Sequence, residues 1–513
     1  MTELALMGID MGTGGARVGI FDPQGKLLGT HAVMWDTQFP RPGRAEQDPN
    51  EWWRCIVEAV RTSLQASGLP AEAIAGISLD ATSATVVPMD AAGQHLRPAL
   101  LWMDVRASAQ AAALARTMDP ALKYSGMGAV SAEWGTPKAM WIRDNEPDVW
   151  NQADIVSDCT DWLVHKLTGE WTMSVNHAAG KYFYDRGWPE SLYQQAGASD
   201  LLEKFPKRIL PVGEVVAGLS KAAADELGLK EGTPVAEGII DAYAGQVGLG
   251  VVSPGKLALI TGSSHVMLAQ SPTPVHAQGL WGSYTDAVIE GEYTLEAGQV
   301  STGSVVQWFK NTLAMKANKL AAENGTDPYD ELGAMAAALP IGSDGLIVME
   351  HFQGNRSPYT DPYSRGVLSG LSLGATEGHL YRAILEGICF GTENIFRVMR
   401  QHNFAPQEIV VSGGPVKSDV WMQMHADVSN LPLTVTDVTE GPILGSAMIA
   451  GVGAGVFDSL PAAAEAMVHV VKTIEPDREA HEQYKFYLSK YIDLYPVMKG
   501  LLHEVSRHEE AKS

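Results

Sequence analysis

The chain opens with three apolar segments joined by tight turns. Strands are predicted over 4–10, 16–21 and 26–33, with a glycine-rich turn at 12–15 and a second turn at 22–25. Three consecutive strands joined in this way form an antiparallel meander. This opening excludes the strand–helix–strand unit with which a dinucleotide-binding fold begins.

A similar opening returns near the middle of the chain. Beyond Pro254, strands are predicted over 256–260 and 265–269, joined by a turn at 261–264. Two halves that begin alike predict a duplicated, two-lobed α/β fold with a cleft between the lobes, and small ligands usually bind in such clefts. The boundary between the halves is predicted near residues 250–256.

Length, charge and cysteine content restrict the class of protein. With 513 residues, 45% of them hydrophobic, the chain is long enough for two cores. The formal net charge of −23 argues against nucleic acid or an anionic membrane as a partner, because both need basic surfaces. No signal peptide or membrane span is recognised, and Cys55, Cys159 and Cys389 suggest neither a disulfide framework nor a zinc site. We therefore expect a cytoplasmic enzyme, and the sequence is compatible with a homodimer.

The first turn is a candidate phosphate-binding loop. In GIDMGTGGAR, residues 8–17, Asp10 ends an apolar strand and is followed by Gly12, Thr13 and Arg17. Glycines let backbone N–H groups approach a phosphate, Thr13 can donate to an oxygen, and Asp10 can hold Mg²⁺ through water. The alternative is a glycine hairpin in which Asp10 only caps the turn. The GxxxxGK[ST] motif is absent and the glycine spacing does not match GxGxxG, which excludes a P-loop kinase and disfavours a dehydrogenase.

Two further turns lie in the second half of the chain. TGSS at 261–264 joins two predicted strands and could face the first turn across the cleft, so that both hold one triphosphate. VVSGGP at 410–415 leads from a strand into a glycine pair that can lie flat against a base or ribose, and Ser418 follows it. Taken alone, each is better explained as an ordinary turn.

A carboxylate stands between these turns in the sequence. Asp241, in GIIDAYAG, opens a predicted small-residue helix and can serve as its N-cap. It could also accept the proton of a substrate hydroxyl, and the helix N-terminus is expected to lower its pKa and make it a weak base. A weak base is sufficient for phosphoryl transfer, in which positioning and charge neutralisation matter more than early deprotonation.

Two polar clusters suit the binding of a polyol. One is DATSAT at 80–85, at the end of a predicted strand, and the other is EAGQ at 296–299. Trp102, Trp134 and Lys181 could add an aromatic surface and further polar contacts. Each group taken singly is more simply a surface hydrogen bond or salt bridge, so only their convergence in a cleft would indicate a sugar site.

Together these motifs resemble the FGGY carbohydrate kinases, which belong to the actin/hexokinase-like ATPases. GVLSGL at 366–371, followed after seven residues by HLYRAILE at 379–386, fits the C-terminal signature of that family. EQDP at 46–49 before a tryptophan pair and SGG at 412–414 also occur in the order that the family shows. The resemblance extends over residues 6–490.

The resemblance implies the fold, the cofactors and the activity. It implies two actin/hexokinase-like lobes built from duplicated ribonuclease-H-like domains, with an N-terminal domain over 1–253, a C-terminal domain over 254–490 and a polar helix or tail over 491–513. It also implies ATP and Mg²⁺ as cofactors and transfer of the γ-phosphate of ATP to a small sugar.

The same resemblance, with the polar clusters, assigns the site residues. Asp241 is expected to be the catalytic base and Asp10 the metal-binding carboxylate. The expected substrate contacts are Asp80, Ser83, Lys181, Asp241 and Glu296. The expected nucleotide contacts are Asp10, Gly12, Thr13, Arg17, Gly262, Ser263, Gly303, Gln307, Gly414 and Ser418.

Several stretches are similar to the ribulokinases within this family. They include LDATSAT at 79–85 and HFQGNRSP at 351–358, so a ribulose-like pentulose is the favoured substrate. Xylulose, erythritol, ribitol and a linear signalling diketose are the alternatives. An actin- or chaperone-like ATPase is less favoured, because it would not need the polyol-suited groups around Asp241 and Glu296.

Overall fold

Two seven-stranded sheets dominate the structure, a computed structural model that describes residues 4–512. The strands of the first half are β1 Ala5–Met11, β2 Gly15–Phe21, β3 Leu27–Met34, β4 Glu46–Gln47, β5 Ile74–Ala81, β6 Val86–Met89, β7 Ala99–Leu100, β8 Ile155–Asp158, β9 Met173–Ser174, β10 Ile209–Leu210, β11 Val215–Gly218, β12 Pro234–Ala236 and β13 Ile239–Ile240. The strands of the second half are β14 Lys256–Thr261, β15 His265–Ser271, β16 Trp281–Thr285, β17 Tyr293–Gln299, β18 Ile347–Met349, β19 Val367–Ser369, β20 Glu408–Ser412, β21 Leu433–Thr436 and β22 Val470–Ile474.

Helices cover both sheets. Those of the first half are α1 Pro49–Ser67, α2 Ser108–Arg116, α3 Gly135–Asn145, α4 Pro147–Gln152, α5 Cys159–Thr168, α6 Val175–Tyr182, α7 Glu190–Gln195, α8 Leu201–Lys204, α9 Lys221–Leu227 and α10 Asp241–Gly248. Those of the second half are α11 Gly303–Thr312, α12 Met315–Asn324, α13 Pro328–Ala337, α14 Glu377–Gln401, α15 Asp419–Ser429, α16 Gly441–Gly453, α17 Leu460–Met467 and α18 Arg478–Glu510. Among the described residues, no helix is both long enough and apolar enough to cross a membrane.

The two large sheets repeat one topology. The first has the order β11–β12–β5–β1–β2–β3, with β13 also paired to β5, and the second has the order β16–β17–β15–β14–β20–β21–β22. In each sheet an antiparallel meander, β1–β2–β3 or β14–β15–β17, is extended by parallel strands, β5 and β12 or β20 and β21. This repeat confirms the duplicated two-lobed α/β fold that the similar openings predicted.

The second half of the chain contributes a helix to the first sheet. α16 packs against β1, β5 and α10. A Cβ atom on Gly8 of β1 would lie 2.0 Å from the carbonyl oxygen of Ile443, and one on Gly445 would lie 2.0 Å from that of Ala244. Only glycine permits such close approach of two backbones. α10 and α16 therefore join the two halves tightly.

The C-terminal segment is more regular than the predicted polar tail. α18 runs through Glu510, and its Tyr491 and Tyr495 are buried against the second half. The hydroxyl of Tyr495 donates to Oδ2 of Asp361 at 2.8 Å, and that of Ser506 donates to the carbonyl oxygen of Tyr363 at 2.9 Å. These contacts show that residues 491–513, predicted as a polar helix or tail, continue as a packed helix to Glu510.

Candidate active site

Three carboxylates meet at one edge of the first sheet. Asp10 on β1 is the register partner of Asp80 on β5, and Ile240 on β13 pairs with Ala81. Asp241 follows Ile240 directly and is the first residue of α10, for which Ile240 is the N-cap. The carboxyl ends of neighbouring strands therefore bring the three acidic side chains together, where ligands of open α/β sheets usually bind.

Burial raises the pKa of all three carboxyls. Burial first, and then the negative charge of Asp10, raises the pKa of Asp241 to about 7. The pKa of Asp10 is raised by burial against the opposing effects of Asp80 and Arg17, and burial raises the pKa of Asp80 well above its usual range. The expected lowering of the Asp241 pKa by the helix N-terminus is wrong. The backbone N–H of Ala242 donates to Oδ1 of Asp241 at 2.7 Å, but burial and the repulsion from Asp10 outweigh that bond.

Asp80 lies behind Asp10 and away from solvent. Its side chain has no exposed surface, and Oγ of Ser446 on α16 donates to its Oδ2 at 2.7 Å. This position does not support the predicted direct contact with a substrate, because none of the Asp80 side chain is exposed to a ligand. Asp80 is instead placed to hold the Asp10 side chain in position.

Side chains hold the first turn at Thr13. Nε1 of Trp102 donates to Oγ1 of Thr13 at 2.9 Å. Nε1 of Trp35 and Nε2 of Gln47 donate to the carbonyl oxygen of Thr13, at 3.1 and 2.8 Å. No sequence motif singled out Trp35, the EQDP motif contained Gln47 without a role for it, and Trp102 was expected on the sugar side. The turn is thus fixed by three donors distant in sequence.

A cavity of about 400 Å³ lies beside Asp241. Its lining includes Arg17, Asp241, Ser412 and Gly413, and also residues 438–442, which had not been singled out. Nη1 of Arg17 lies 2.6 Å from a carboxylate oxygen of one of these residues, Glu440. The structure therefore brings two predicted site residues together and adds the segment that leads into α16.

Backbone hydrogen bonds hold the second turn against α11. The N–H of Gly303 donates to the carbonyl oxygen of Gly262 at 3.2 Å, and that of Ser304 donates to the carbonyl oxygen of Ser263 at 3.1 Å. Gly262 and Ser263 are exposed, and Gln307 lies exposed one turn further along α11. The predicted nucleotide contacts of this region therefore form one surface.

The third turn packs directly on the second. Gly413 has a φ of 104°, and a Cβ atom there would lie 1.9 Å from the carbonyl oxygen of Thr261, so only glycine fits. A Cβ atom on Gly414 would have no atom within 4 Å, so its backbone faces open space. The side chain of Ser418 caps α15. Gly414 therefore follows directly on the contact with the second turn, and the contact of Gly414 and Ser418 with a nucleotide stays a prediction.

Lys181 and Glu296 approach Asp241 from opposite halves. The charge of Lys181 on α6 lowers the pKa of Asp241, and the charge of Glu296 on β17 raises it. The hydroxyl of Tyr243 donates to Oε2 of Glu296 at 2.7 Å, and Nζ of Lys181 lies 6.0 Å from the ring centroid of Trp134. Three of the predicted substrate contacts therefore converge.

Ser83 belongs to a loop that buried polar groups hold in place. Its Oγ donates to Oδ2 of Asp158 at 2.8 Å, and Asp158 is fully buried at the start of α5. Nζ of Lys138, also fully buried, donates to the carbonyl oxygens of Ala84 and Trp102 at 2.7 and 3.0 Å. Burial lowers the pKa of Lys138 to about 7. Ser83 is partly exposed, so its hydroxyl can still accept a hydrogen bond from a ligand.

Gln299 of the EAGQ cluster and Asp104, two residues after Trp102, have structural roles. Gln299 is 2% exposed, and its Nε2 donates to Oε1 of Glu350 at 2.9 Å. Asp104 is fully buried, and Nη2 of Arg106 donates to its Oδ2 at 2.7 Å. Neither side chain is available to a sugar in this structure.

A second cavity, of about 510 Å³, is lined by residues of both halves. Trp134 lines it from the first half, and Trp281, the cross-strand partner of Glu296, lines it from the second. The guanidinium of Arg356 lies 5.2 Å from the ring centroid of Trp281. This cavity offers the aromatic and polar surface that a polyol site requires.

The carboxylates fit a Mg²⁺ ion that is bound largely through the nucleotide. Among residues 4–512, no three or more His, Cys, Asp or Glu side chains form a metal cage. Mg²⁺ commonly takes one or two protein carboxylates and completes its shell with water and substrate phosphates. Asp10 and Asp241 are the two partly exposed carboxylates of the trio on the sheet edge, and the hard oxygen donors of Asp10 suit this role.

Known protein families match nearly the whole chain. The N-terminal domain of the FGGY family of carbohydrate kinases matches residues 5–248, and the C-terminal domain matches residues 257–454. An FGGY carbohydrate kinase domain-containing protein of Xenopus laevis is 30% identical over 531 residues, covering 95% of both chains. A ribulokinase of Geobacillus thermodenitrificans is 30% identical over 550 residues, covering 98% of this chain and 97% of the relative.

Solved structures agree with these matches. The xylulose kinase from Rhodospirillum rubrum superimposes with a TM-score of 0.88 at 27% identity, over 97% of this chain and all of that one. A glycerol kinase from Plasmodium falciparum, solved with ADP, gives a TM-score of 0.84 at 19% identity over 96% and 98% of the two chains, and supports the fold. The chain therefore belongs to the FGGY family of carbohydrate kinases, phosphotransferases that use ATP.

Proposed function

We propose that this protein transfers the γ-phosphate of ATP to a hydroxyl of a ribulose-like pentulose. The observation that carries the proposal is the position of Asp241. It lines the cavity that contains Arg17 and Gly413, and its carboxyl also lies within electrostatic reach of Lys181 and Glu296. A base in this position is between a phosphate side and a sugar side, as an in-line transfer requires.

Asp241 is the base in this mechanism. Its Oδ1 accepts the N–H of Ala242, which leaves Oδ2 for the substrate hydroxyl. A pKa of about 7 gives the carboxylate enough basicity to accept the proton as the sugar oxygen bonds to the γ-phosphorus and the bond to the ADP oxygen breaks. The nearby ammonium of Lys181 favours the ionised form of Asp241 and can donate to the sugar.

The phosphate side is made of backbone N–H groups, one hydroxyl and one guanidinium. Because Oγ1 of Thr13 accepts from Trp102, its own hydrogen is free to donate to a phosphate oxygen. Arg17 and the backbone N–H of the exposed Ser263 supply further donors, whereas the N–H of Gly262 already donates to the carbonyl oxygen of Ser264 at 2.9 Å. A Mg²⁺ ion held by Asp10 would neutralise charge on the phosphates.

The remaining predicted residues take supporting positions in this proposal. Gly303, Gln307, Gly414 and Ser418 bind the nucleotide beyond its phosphates. Asp80 holds Asp10, so we reassign it from substrate contact to positioning. The proximity of Trp134 and Trp281 to the sugar contacts supports the placement of the sugar at the cavity of about 510 Å³.

Xylulose is the second candidate substrate. A xylulose kinase of Staphylococcus epidermidis is 27% identical over 504 residues, covering 98% of each chain. The ribulokinase relatives and the LDATSAT segment at 79–85 favour ribulose instead. The two ketoses differ in the configuration of one carbon, so the same cavity could accommodate either.

The test is ADP release over a panel of ribulose, xylulose, ribitol, erythritol and aldopentoses at saturating MgATP. We expect ribulose to give the highest kcat/KM, and mass spectrometry should detect the corresponding sugar phosphate. A higher kcat/KM for xylulose would replace ribulose as the assigned substrate. If no sugar raises ADP release above the sugar-free rate, the proposal is wrong.

A further inference from the structure

An ion pair that no sequence motif indicated lies in the phosphate side of the cleft. Nη1 of Arg17 lies 2.6 Å from Oε2 of Glu440, and the two residues are 423 positions apart in sequence. Both side chains line the cavity that also contains Asp241. An Arg–carboxylate pair that joins distant segments inside a candidate site needs an explanation beyond surface solubility.

Both partners project from firmly held backbone. Arg17 lies on β2, which is paired on both sides by β1 and β3. Glu440 directly precedes α16, and this helix is fixed on the first sheet by the close approach of Ile443 to Gly8 of β1. The position of the carboxylate relative to β2 is therefore set by the core of the molecule.

The pair leaves most of the guanidinium free. Arginine has five N–H donors in a rigid fork, and only Nη1 of Arg17 donates to Glu440. Within residues 4–512, the Arg17 side chain has no other hydrogen bond or ion pair. The opposite edge of the fork, with Nη2 and Nε, can donate to phosphate oxygens while the contact with Glu440 persists.

Stability alone does not explain this pair. The side chains of Arg17 and Glu440 are 44% and 37% exposed, and ion pairs at such exposure contribute little to folding. A free arginine side chain, however, loses considerable rotamer freedom when a ligand fixes it. A carboxylate that already holds the guanidinium removes that cost from the binding step.

We propose that Glu440 is a positioning residue that orients Arg17 toward the terminal phosphates of the bound nucleotide. This inference rests on the proposed function, since it assumes that ATP phosphates occupy the cavity. The opposite role, in which Glu440 competes with phosphate for Arg17, makes the opposite prediction: removing Glu440 would then strengthen nucleotide binding.

The test measures binding of a non-hydrolysable ATP analogue with Mg²⁺ and without sugar, by isothermal titration calorimetry of the full chain. We expect Glu440→Ala to weaken binding by ~5-fold, the upper range for a partly exposed ion pair. Glu440→Gln, which keeps a neutral acceptor, should lose less. In an Arg17→Ala background, Glu440→Ala should have no further effect, because the role of Glu440 acts through Arg17.

Asp200→Ala provides a matched control. It removes a comparable ion pair, with Arg143 at 2.7 Å, outside both cavities, and should leave binding unchanged. Equal or tighter binding by Glu440→Ala would overturn the inference, as would an equal loss in the Arg17→Ala background. Thermal unfolding identifies any variant that fails to fold. If Glu440→Ala does not fold, Glu440→Gln decides whether loss of the carboxylate weakens or strengthens binding of the analogue. If the unmodified protein does not bind the analogue, the proposed function itself fails, which is a distinct result.

Discussion

The two turns that face the candidate site are held in different ways. In the first turn, three side-chain donors, Trp35, Gln47 and Trp102, fix Thr13, and the neighbouring Asp10 lies against Asp80. In the second turn, backbone N–H groups at the start of α11 donate to the carbonyl oxygens of Gly262 and Ser263. The duplicated halves therefore keep one topology but use different chemistry at equivalent places.

This difference indicates a division of roles. The first turn combines carboxylates, a hydroxyl and an arginine with a rigid surround, which suits the reacting phosphate. The second turn is exposed and has few committed side chains, which suits binding through backbone groups. If this is correct, substitutions that remove a side-chain group should impair function most in the first turn. Substitutions that add a Cβ atom at a glycine should impair function most in the second turn.

Asp10→Asn should have the largest effect among substitutions at the turns. Loss of the charge removes the predicted Mg²⁺ ligand beside the phosphates, and we expect kcat to fall by ~10²-fold or more, as for other groups that stabilise transition-state charge. Steady-state ADP release, titrated with Mg²⁺, measures this. Asp22→Asn, in the other turn of the first meander, is the control and should be near normal. Comparable losses in both variants would remove the special role of Asp10.

Gly303→Ala should disrupt the second turn only because the added Cβ atom collides with the backbone. The added Cβ atom would lie 2.2 Å from the carbonyl oxygen of Gly262, so the turn must move, and we expect ATP affinity to fall by ~10-fold. Calorimetric titration with the ATP analogue measures the change. Gly14→Ala in the first turn places its Cβ 3.3 Å from the flexible terminus of Met34 and should cost much less. A larger loss of ATP affinity in Gly14→Ala than in Gly303→Ala would contradict the proposed division of roles between the two turns.

The fall of kcat/KM on the acid side of its pH profile reports the protonation of the carboxylates near the first turn. The pKa of Asp241 is raised to about 7, so its base form is lost below that pH, and kcat/KM for the sugar should fall ~10-fold from pH 8 to pH 6. Asp10 and Glu296 raise this pKa, while Lys181 and the N–H of Ala242 lower it. In Asp10→Asn, the remaining activity should therefore show its acid limb at lower pH. An unshifted limb in that variant would show that Asp10 does not act on Asp241.

Trp102→Phe and Ser263→Ala compare side-chain dependence directly. Trp102→Phe removes the donor to Thr13 and should lower kcat/KM for ATP by ~5-fold, the usual range for one hydrogen bond. Ser263→Ala leaves the backbone hydrogen bonds of the second turn intact and should change kcat/KM for ATP by less than ~2-fold. Initial rates over a range of ATP concentrations suffice. A larger loss for Ser263→Ala would mean that the second turn also depends on a side chain.

Local patterns predicted much of the fold. The opening meander and the turn at 261–264 are confirmed. Such features depend on neighbouring residues, which a sequence displays directly. The family signature extended the prediction from these local features to the two-lobed architecture.

The failures involve contacts between distant segments. The pKa of Asp241 depends on burial and on Asp10, so the local helix N-terminus suggested the wrong direction. Gln299 was expected near a sugar, but its burial against Glu350 follows from the packing of separate elements. The pairing of Arg17 with Glu440 likewise requires α16 to return to the first sheet.

The central claim, transfer of phosphate to a sugar with Asp241 as base, is tested most directly with ATP labelled at its γ-phosphate. We predict that the unmodified protein transfers the label to ribulose, and that Asp241→Asn binds the ATP analogue normally but transfers label at least ~10²-fold more slowly. Near-normal transfer by Asp241→Asn would contradict the assignment of the base. Release of the label only as inorganic phosphate by the unmodified protein, in the presence of every sugar of the panel, would contradict the proposed kinase activity.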